Sequence, residues 1–433
     1  ADTGHDHASV LELAHELDAS DDAVCTVLES ALEADRAEVQ RRLAAADAAQ
    51  FGADEAATAN HEANVLFNIM RGGTFETDYD IPRADLVSYL FDQSRIVSAR
   101  HEAWLSQLPE WVPLRQLLDE AQAQGDPQLT RLVRGYLPIT FSRRHGDPSR
   151  PWNWYTIRVH DEDRLVYGYE GNWRDIFQNW EALGISYPGY LRSFVSVFLN
   201  ASGADGYNPY RITRAGIDWE TEDPDDPWSH IGYWGDHQIV YLLRLLEAWE
   251  RHEPGALAAG LGERVYSYAD VPYRIGDFGS IVADPRHTIT FEHARHEALL
   301  AAAADIGADG RLVREADGEV RLVTLAEKLL VPLLVKLTNL VPDSGIWLNT
   351  QRPEWNDANN ALAGWGLSLV TLNAIVRYVG LLRDAFTEAP DVELSASVRS
   401  LMDALSEVFG ELELPLDDAA RFSAMRRLGH AGQ

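Results

Sequence analysis

The sequence predicts a mainly α fold with small β-hairpins in its loops. Apolar residues recur at three- and four-residue spacing in run after run. The later runs are separated by long segments rich in Trp, Tyr, Asp, Pro and Gly, where simple bundles use short loops. The chain has 433 residues, roughly two to three times the usual domain, and a ring of helix pairs uses such a length as one unit.

From Ser9 to about Ala49 the pattern reads as a helical pair, with Ser20 and Asp21 placed to cap a long helix at Asp22. Amphipathic runs follow at Glu62 to Met70, Ala84 to Gln107, Pro113 to Gln124 and Gln128 to Tyr136. The period then changes to alternation, and Trp154 to Val159 with Arg164 to Tyr169 predicts a hairpin turning at Asp161 to Asp163. Helices resume at Arg174 to Leu183, Pro188 to Asn200, Gly235 to His252, Phe291 to Asp305, Thr324 to Leu340, Ala358 to Thr387 and Ser395 to Phe409. A second hairpin is expected over Arg311 to Val323, turning at Asp317-Gly318. Residues 1–136 read as the N-terminal helical part that supplies the first helices of the ring, and 137–433 as the remainder, within a single domain. No fixed period marks a solenoid, and no Pro- or Ser-rich linker divides the chain.

The net charge of −31 repels phosphate backbones and anionic lipid, which argues against nucleic-acid and membrane partners. Lys328 and Lys336 are the only lysines, and the acid excess suits a salty cytoplasm. The single cysteine, Cys25, is expected to be a buried thiol with no internal partner. No leader is evident, so a cytoplasmic location is expected. The acidic surface favours solubility and indicates no particular assembly.

Three stretches concentrate chemistry. Phe141 to Trp154 carries Arg143, Arg144 and His145, a set suited to clamping an anion or hydroxyl groups, or alternatively to an ion-pair network between loops. Tyr169 to Glu181 delivers Arg174 and Asp175 to a helix start, where they would bind sugar hydroxyls or simply complement the helix end. The third joins carboxylates to tryptophans in two parts. Asp218 to Gln238 holds Asp218, Trp219, Glu220, Trp234, Asp236 and His237, and Asn349 to Gly366 holds Glu354, Trp355 and Asp357. Cleaving a glycosidic bond needs a carboxylic acid to protonate the leaving oxygen and flat apolar faces to hold the rings, so this composition points to a carbohydrate cleft. His293 and His296 at helical spacing make the nearest approach to a zinc pair, but no HExxH or cysteine pattern accompanies them, and no metal or cofactor is expected. Nucleophile-elbow, Walker and dinucleotide motifs are absent.

With those residues in view, RDIFQN at Arg174 to Asn179 resembles the RDxxQD segment of the cellobiose and chitobiose phosphorylases. PEWNDANNAL, Pro353 to Leu362, is similar to the GDWNDGxN segment that carries that family's general acid, and SHIGYWGDHQ between them resembles its WTGDHLW helix. The resemblance spans roughly Tyr169 to Gly366 and implies an (α/α)6 barrel, a disaccharide or oligosaccharide substrate and cleavage with inversion. It further implies Asp357 as general acid, Trp355 at the same subsite, Arg174 and Asp175 on the non-reducing sugar, and Glu354 at the position of the motif's first Asp. Asn179 and Ala358 depart from the family pattern, and the glycine-rich phosphate-binding segment expected beyond the acid is missing. Either the chain is cut from a longer enzyme, or water replaces phosphate and a second carboxylate, from Glu170, Glu220 or Asp236, activates it. Hydrolysis is therefore the leading expectation. A phosphorylase using inorganic phosphate as co-substrate comes next, with Arg143, Arg144 and His145 as its anion site, and a non-catalytic sugar-binding barrel third.

Overall fold

The computed structural model describes residues 11, 14–15, 21–46, 54–71, 73–140, 160–161, 164–206, 211–219, 221, 238–285, 287–349, 362 and 364–433. Helices dominate, and the strands are short antiparallel pairs and triplets. In the N-terminal third these are α1 (Asp21–Ala45), α2 (Glu55–Arg71), β1 (Asp80–Pro82), α3 (Arg83–Gln93), α4 (Arg95–Arg100), α5 (Glu102–Gln107), β2 (Trp111–Pro113), α6 (Leu114–Ala123) and α7 (Pro127–Arg134). The run expected as one helix over Ala84 to Gln107 is three. Ser94 ends α3 and caps α4, its side chain accepting from Val97 N, and the chain is interrupted again at His101. Cys25 is exposed, contrary to expectation. It lies on α1, most of whose described surface faces solvent.

The middle of the chain adds β3 (His160–Asp161), β4 (Arg164–Leu165), β5 (Glu170–Asn172), α8 (Trp173–Ser186), α9 (Leu191–Asn200), β6 (Arg211–Thr213), β7 (Gly216–Asp218), α10 (Gln238–His252) and α11 (Ala256–Gly260). Near the first expected hairpin β3 pairs with β4, which puts Asp161, expected in the turn, in a strand paired with Arg164; Trp154 to Val159 lie outside the described residues. The last third holds β8 (Tyr273–Ile275), α12 (Phe278–Ala283), β9 (Ile289–Phe291), α13 (His293–Ile306), α14 (Leu325–Leu337), β10 (Leu340–Val341), β11 (Gly345–Trp347), β12 (Leu367–Ser368), α15 (Leu369–Glu388), α16 (Ala396–Gly410) and α17 (Asp418–Ala431). The second expected hairpin is present, with Arg314 bridged to Val320 and Glu315 N donating to Glu319 O at 2.8 Å.

Side-chain caps fix many helix starts: Asp126 accepts from Gln128 N ahead of Pro127, and Thr324, Ser368, Ser395 and Asp417 cap α14 to α17. Helices α2, α8, α10 and α15 pack side by side in a row, with α9 against both α8 and α10 and α7 beyond α9. Between α8 and α9 the core is aromatic: Trp173, Phe177, Trp180, Phe194 and Phe198 are fully buried with edge-on and stacked ring contacts. Among the described residues, no helix is long and apolar enough to cross a membrane.

Candidate functional site

Most of the residues singled out from sequence lie outside the described residues: Arg143, Arg144 and His145; Trp234, Asp236 and His237; Glu354, Trp355 and Asp357; and the alternative base Glu220. Arg174 and Asp175 are placed by their backbone in the first turn of α8. The described residues that flank these stretches carry the structural argument.

Those flanks meet at one end of the helix row. Gln238, first residue of α10, donates from Nε2 to Gly206 O at 3.4 Å. Gly206 in turn packs against Val335 of α14. The Val335 carbonyl accepts from Asn339 Nδ2 at 3.5 Å, and Asn339 Oδ1 accepts from Asn349 Nδ2 at 3.0 Å. The stretches that follow Gly206 and Asn349 therefore leave the scaffold from one place. Arg211 pairs with Asn172 at the entrance of α8. Helix α9 runs antiparallel to both α8 and α10, with Phe198 near its end lying on Trp173 and Arg192 near its start lying over Trp249, so α8 and α10 are parallel and begin at this end. The Arg244–Glu181 ion pair, 2.7 Å, joins the same two helices farther along. The remaining flank, Thr140, bridges both Thr74 and Tyr167, just ahead of β5.

The sheet β5–β6–β7 forms the floor of this end. Asn172, Arg211 and Asp218 lie in register across it, as do Gly171, Ile212 and Ile217 in the next row. Ile212 and Ile217 are buried, so the alternate row presents its charges on the opposite face. There Arg211 bridges two carboxylates, with Nη1 3.0 Å from Glu170 Oε1 and Nη2 in close contact with Asp218 Oδ2. Arg311 extends the group: it donates to Ile217 O at 2.6 Å, lies 3.8 Å from Asp218 and sits over the Trp219 ring. The Trp219 indole donates to His296 Nδ1 at 3.0 Å. Trp219, grouped from sequence with ring-holding tryptophans, is instead a buried strut. Its Asp-rich neighbours gave the opposite impression because burial is set here by Arg311 and His296, distant in sequence. Among the described residues, no group of three or more His, Cys, Asp or Glu is arranged to hold a metal.

Behind the sheet lies a cavity of about 70 Å³ lined by Tyr89, Arg131, Tyr169, Asn200, Arg214 and Asp309, among others. Its walls join the N-terminal third to the sheet through charge pairs that sequence reasoning missed. Arg214, in the β6–β7 turn, places Nη2 2.8 Å from both Asp85 oxygens, and Arg131 pairs with Asp309 at 2.7 Å, both side chains about 4% exposed. Arg134 and Arg192 share the Glu263 carboxylate, whose proton affinity falls below the usual range because the two guanidiniums outweigh its burial. The residue types were visible in the sequence, but nothing in local spacing pairs Asp85 with Arg214.

Residues 75–138, which contain β1 to α7, match the model of glycoside hydrolase family 149 insertion domain 1. No curated protein matches the chain. The family-model match covers a minor part of the chain and supports a glycoside hydrolase or phosphorylase type of family.

Proposed function

We propose that the chain forms the helical catalytic part of an enzyme that cleaves glycosidic bonds with inversion, most simply as a hydrolase, on an (α/α)6 scaffold. The observation that carries this reading is the meeting of flanks. The stretches holding RDIFQN, SHIGYWGDHQ and PEWNDANNAL are separated in sequence, yet their described ends adjoin at one end of the helix row. Family-model similarity at residues 75–138 supports the same class independently of those motifs.

In this reading Asp357 protonates the leaving oxygen, Trp355 serves the same subsite, Glu354 takes the part of the motif's first Asp, and Arg174 and Asp175 hold the non-reducing sugar. Trp234, Asp236 and His237 contribute from the neighbouring stretch, and Arg143, Arg144 and His145 clamp hydroxyls from a fourth. An inverting hydrolase needs a second carboxylate roughly 6.5 to 9.5 Å from the acid, with room for water between them. Of the three candidates, Glu170 is the one within the described residues, where it lies 3.0 Å from Arg211 Nη1.

The test is product release from α- and β-linked glucans and disaccharides, with and without phosphate, comparing the native chain with Asp357→Asn. Free sugar of inverted configuration, independent of phosphate and lost in the variant, is the expected result. Sugar 1-phosphate formed only with phosphate would replace hydrolysis by phosphorolysis, with the arginine-rich stretch as anion site. Sugar binding with no product in a folded chain would leave a binding barrel.

A further inference from the structure

We propose that Trp365 is a stacking platform for a sugar ring on the leaving-group side of the cleft, an inference that rests on the glycoside-cleaving reading. Trp365 is 82% exposed, the most exposed large hydrophobic side chain among the described residues. Burying such a ring is favourable, so an indole held in water serves something other than the core.

The turn around it is built to hold it there. Trp365 N donates to Leu362 O at 2.9 Å, Gly366 N to the same carbonyl at 2.6 Å, Gly364 N to Leu348 O at 2.6 Å and Leu348 N to Gly366 O at 3.0 Å. The Trp347 indole adds a bond to Gly364 O at 3.2 Å. Both flanking glycines are required. Gly364 has a φ of +82°, and a Cβ there would meet Pro285 at 2.3 Å, while a Cβ on Gly366 would meet Leu362 at 2.5 Å. Such a platform loses little conformational freedom when a ring settles on it.

Leu362 is the last residue of PEWNDANNAL, so this turn is hydrogen-bonded directly to the segment assigned the general acid. The acid delivers its proton to the leaving group, whereas Arg174 and Asp175, on another element, are assigned the opposite sugar. A flat indole joined to the acid's own segment therefore suits the departing side. Exposed Leu362, Leu367, Leu369 and Val370 extend the apolar surface nearby, and a protein contact is the competing use of it.

The experiment uses the full chain labelled with 5-fluorotryptophan and ladders of α-1,4-, β-1,4- and β-1,3-linked glucose oligosaccharides of two to six units. The Trp365 fluorine resonance is assigned by its loss in Trp365→Phe. We expect it to shift on one ladder, Trp365→Ala to weaken binding of the longer members about tenfold and raise their KM at unchanged kcat, and Trp365→Phe to retain most affinity. A Trp365 resonance that stays fixed while other tryptophan signals report saturation overturns the proposal. So does a Trp365→Ala variant that alters sedimentation but not sugar binding, which would make the patch a protein contact. A shifted Trp365 signal with no glucan cleaved would refute catalysis on glucans and keep the platform; no shift anywhere would remove both for these sugars.

Discussion

Asp85 and Arg214 join the N-terminal third to the turn of the β5–β7 sheet: Arg214 Nη2 lies 2.8 Å from both carboxylate oxygens, and the Tyr136 hydroxyl donates to the same carboxylate at 2.5 Å. Tyr89, Tyr136 and Tyr167 place their rings around the guanidinium, and Gln93 donates to the Arg214 carbonyl at 2.9 Å. Removing one partner leaves the other charge desolvated. Asp85→Ala should therefore cost about 3–5 kcal/mol, whereas Asp85→Ala with Arg214→Met should cost less than the sum of the two single changes. Urea titrations of the four proteins check this, and additive losses would show that the two groups act separately.

The same pair shows what the sequence discloses and what it hides. Helices with an apolar stripe and a capping residue, such as those starting after Thr324 and Ser395, were readable within a few residues of their ends. The Ala84 to Gln107 run concealed two breaks because its apolar spacing continues across Ser94 and His101. Strands β6 and β7 have three residues each, too few for alternation to register. One tryptophan reverses its apparent role: Trp219, beside Asp218, is buried, whereas Trp365, between glycines, stands in water. Local composition proposes such roles, and partners distant in sequence decide them.

Stability should vary with pH in two opposite limbs. Burial presses the Lys328 ammonium well below its usual 10.5, with Glu327 and Asp205 pulling the other way; its Nζ donates to Ser202 O at 3.0 Å and lies over the Tyr268 ring. Between that depressed value and 10.5 the unfolded chain binds the extra proton, so stability rises with pH, by at most about 1.4 kcal/mol per pH unit. Burial pushes the Tyr167, Tyr169 and Tyr187 hydroxyls up to about 12. From pH 10 towards 12 the folded chain holds protons that the unfolded chain has lost, and stability falls. Urea midpoints across the alkaline range should climb and then turn down. Lys328→Met should flatten the climb and keep the downturn; a climb that persists unchanged in this variant assigns it to other groups.

Arg211 touches Glu170 and Asp218 at side chains that are 37% and 31% exposed, so these pairs contribute only about 0–1 kcal/mol to folding after solvent screening. Their larger effect falls on placement: Arg211 holds Glu170 and Asp218 together on one face of the sheet. Arg211→Met should leave the urea midpoint nearly unchanged and lower kcat more than it raises KM, and Arg211→Lys should recover part of kcat. An unaltered kcat in Arg211→Met would remove Glu170 from consideration as the base.

Asp357 and Glu354 stand three residues apart in PEWNDANNAL, and kinetics can separate the roles proposed for them. A general acid matters in proportion to how badly the leaving oxygen needs a proton. Asp357→Asn should lower kcat about 10²- to 10⁴-fold on natural glycans. On an aryl glycoside whose phenolate leaves without protonation the loss should be far smaller. The alkaline limb of the pH–rate profile should also disappear, since the group whose deprotonation produces it is gone. Glu354→Gln, by contrast, should raise KM with little change in that limb. Equal losses on both leaving groups in Asp357→Asn would mean that the residue binds sugar and that the proton comes from elsewhere, with Glu354 as the next carboxylate to test.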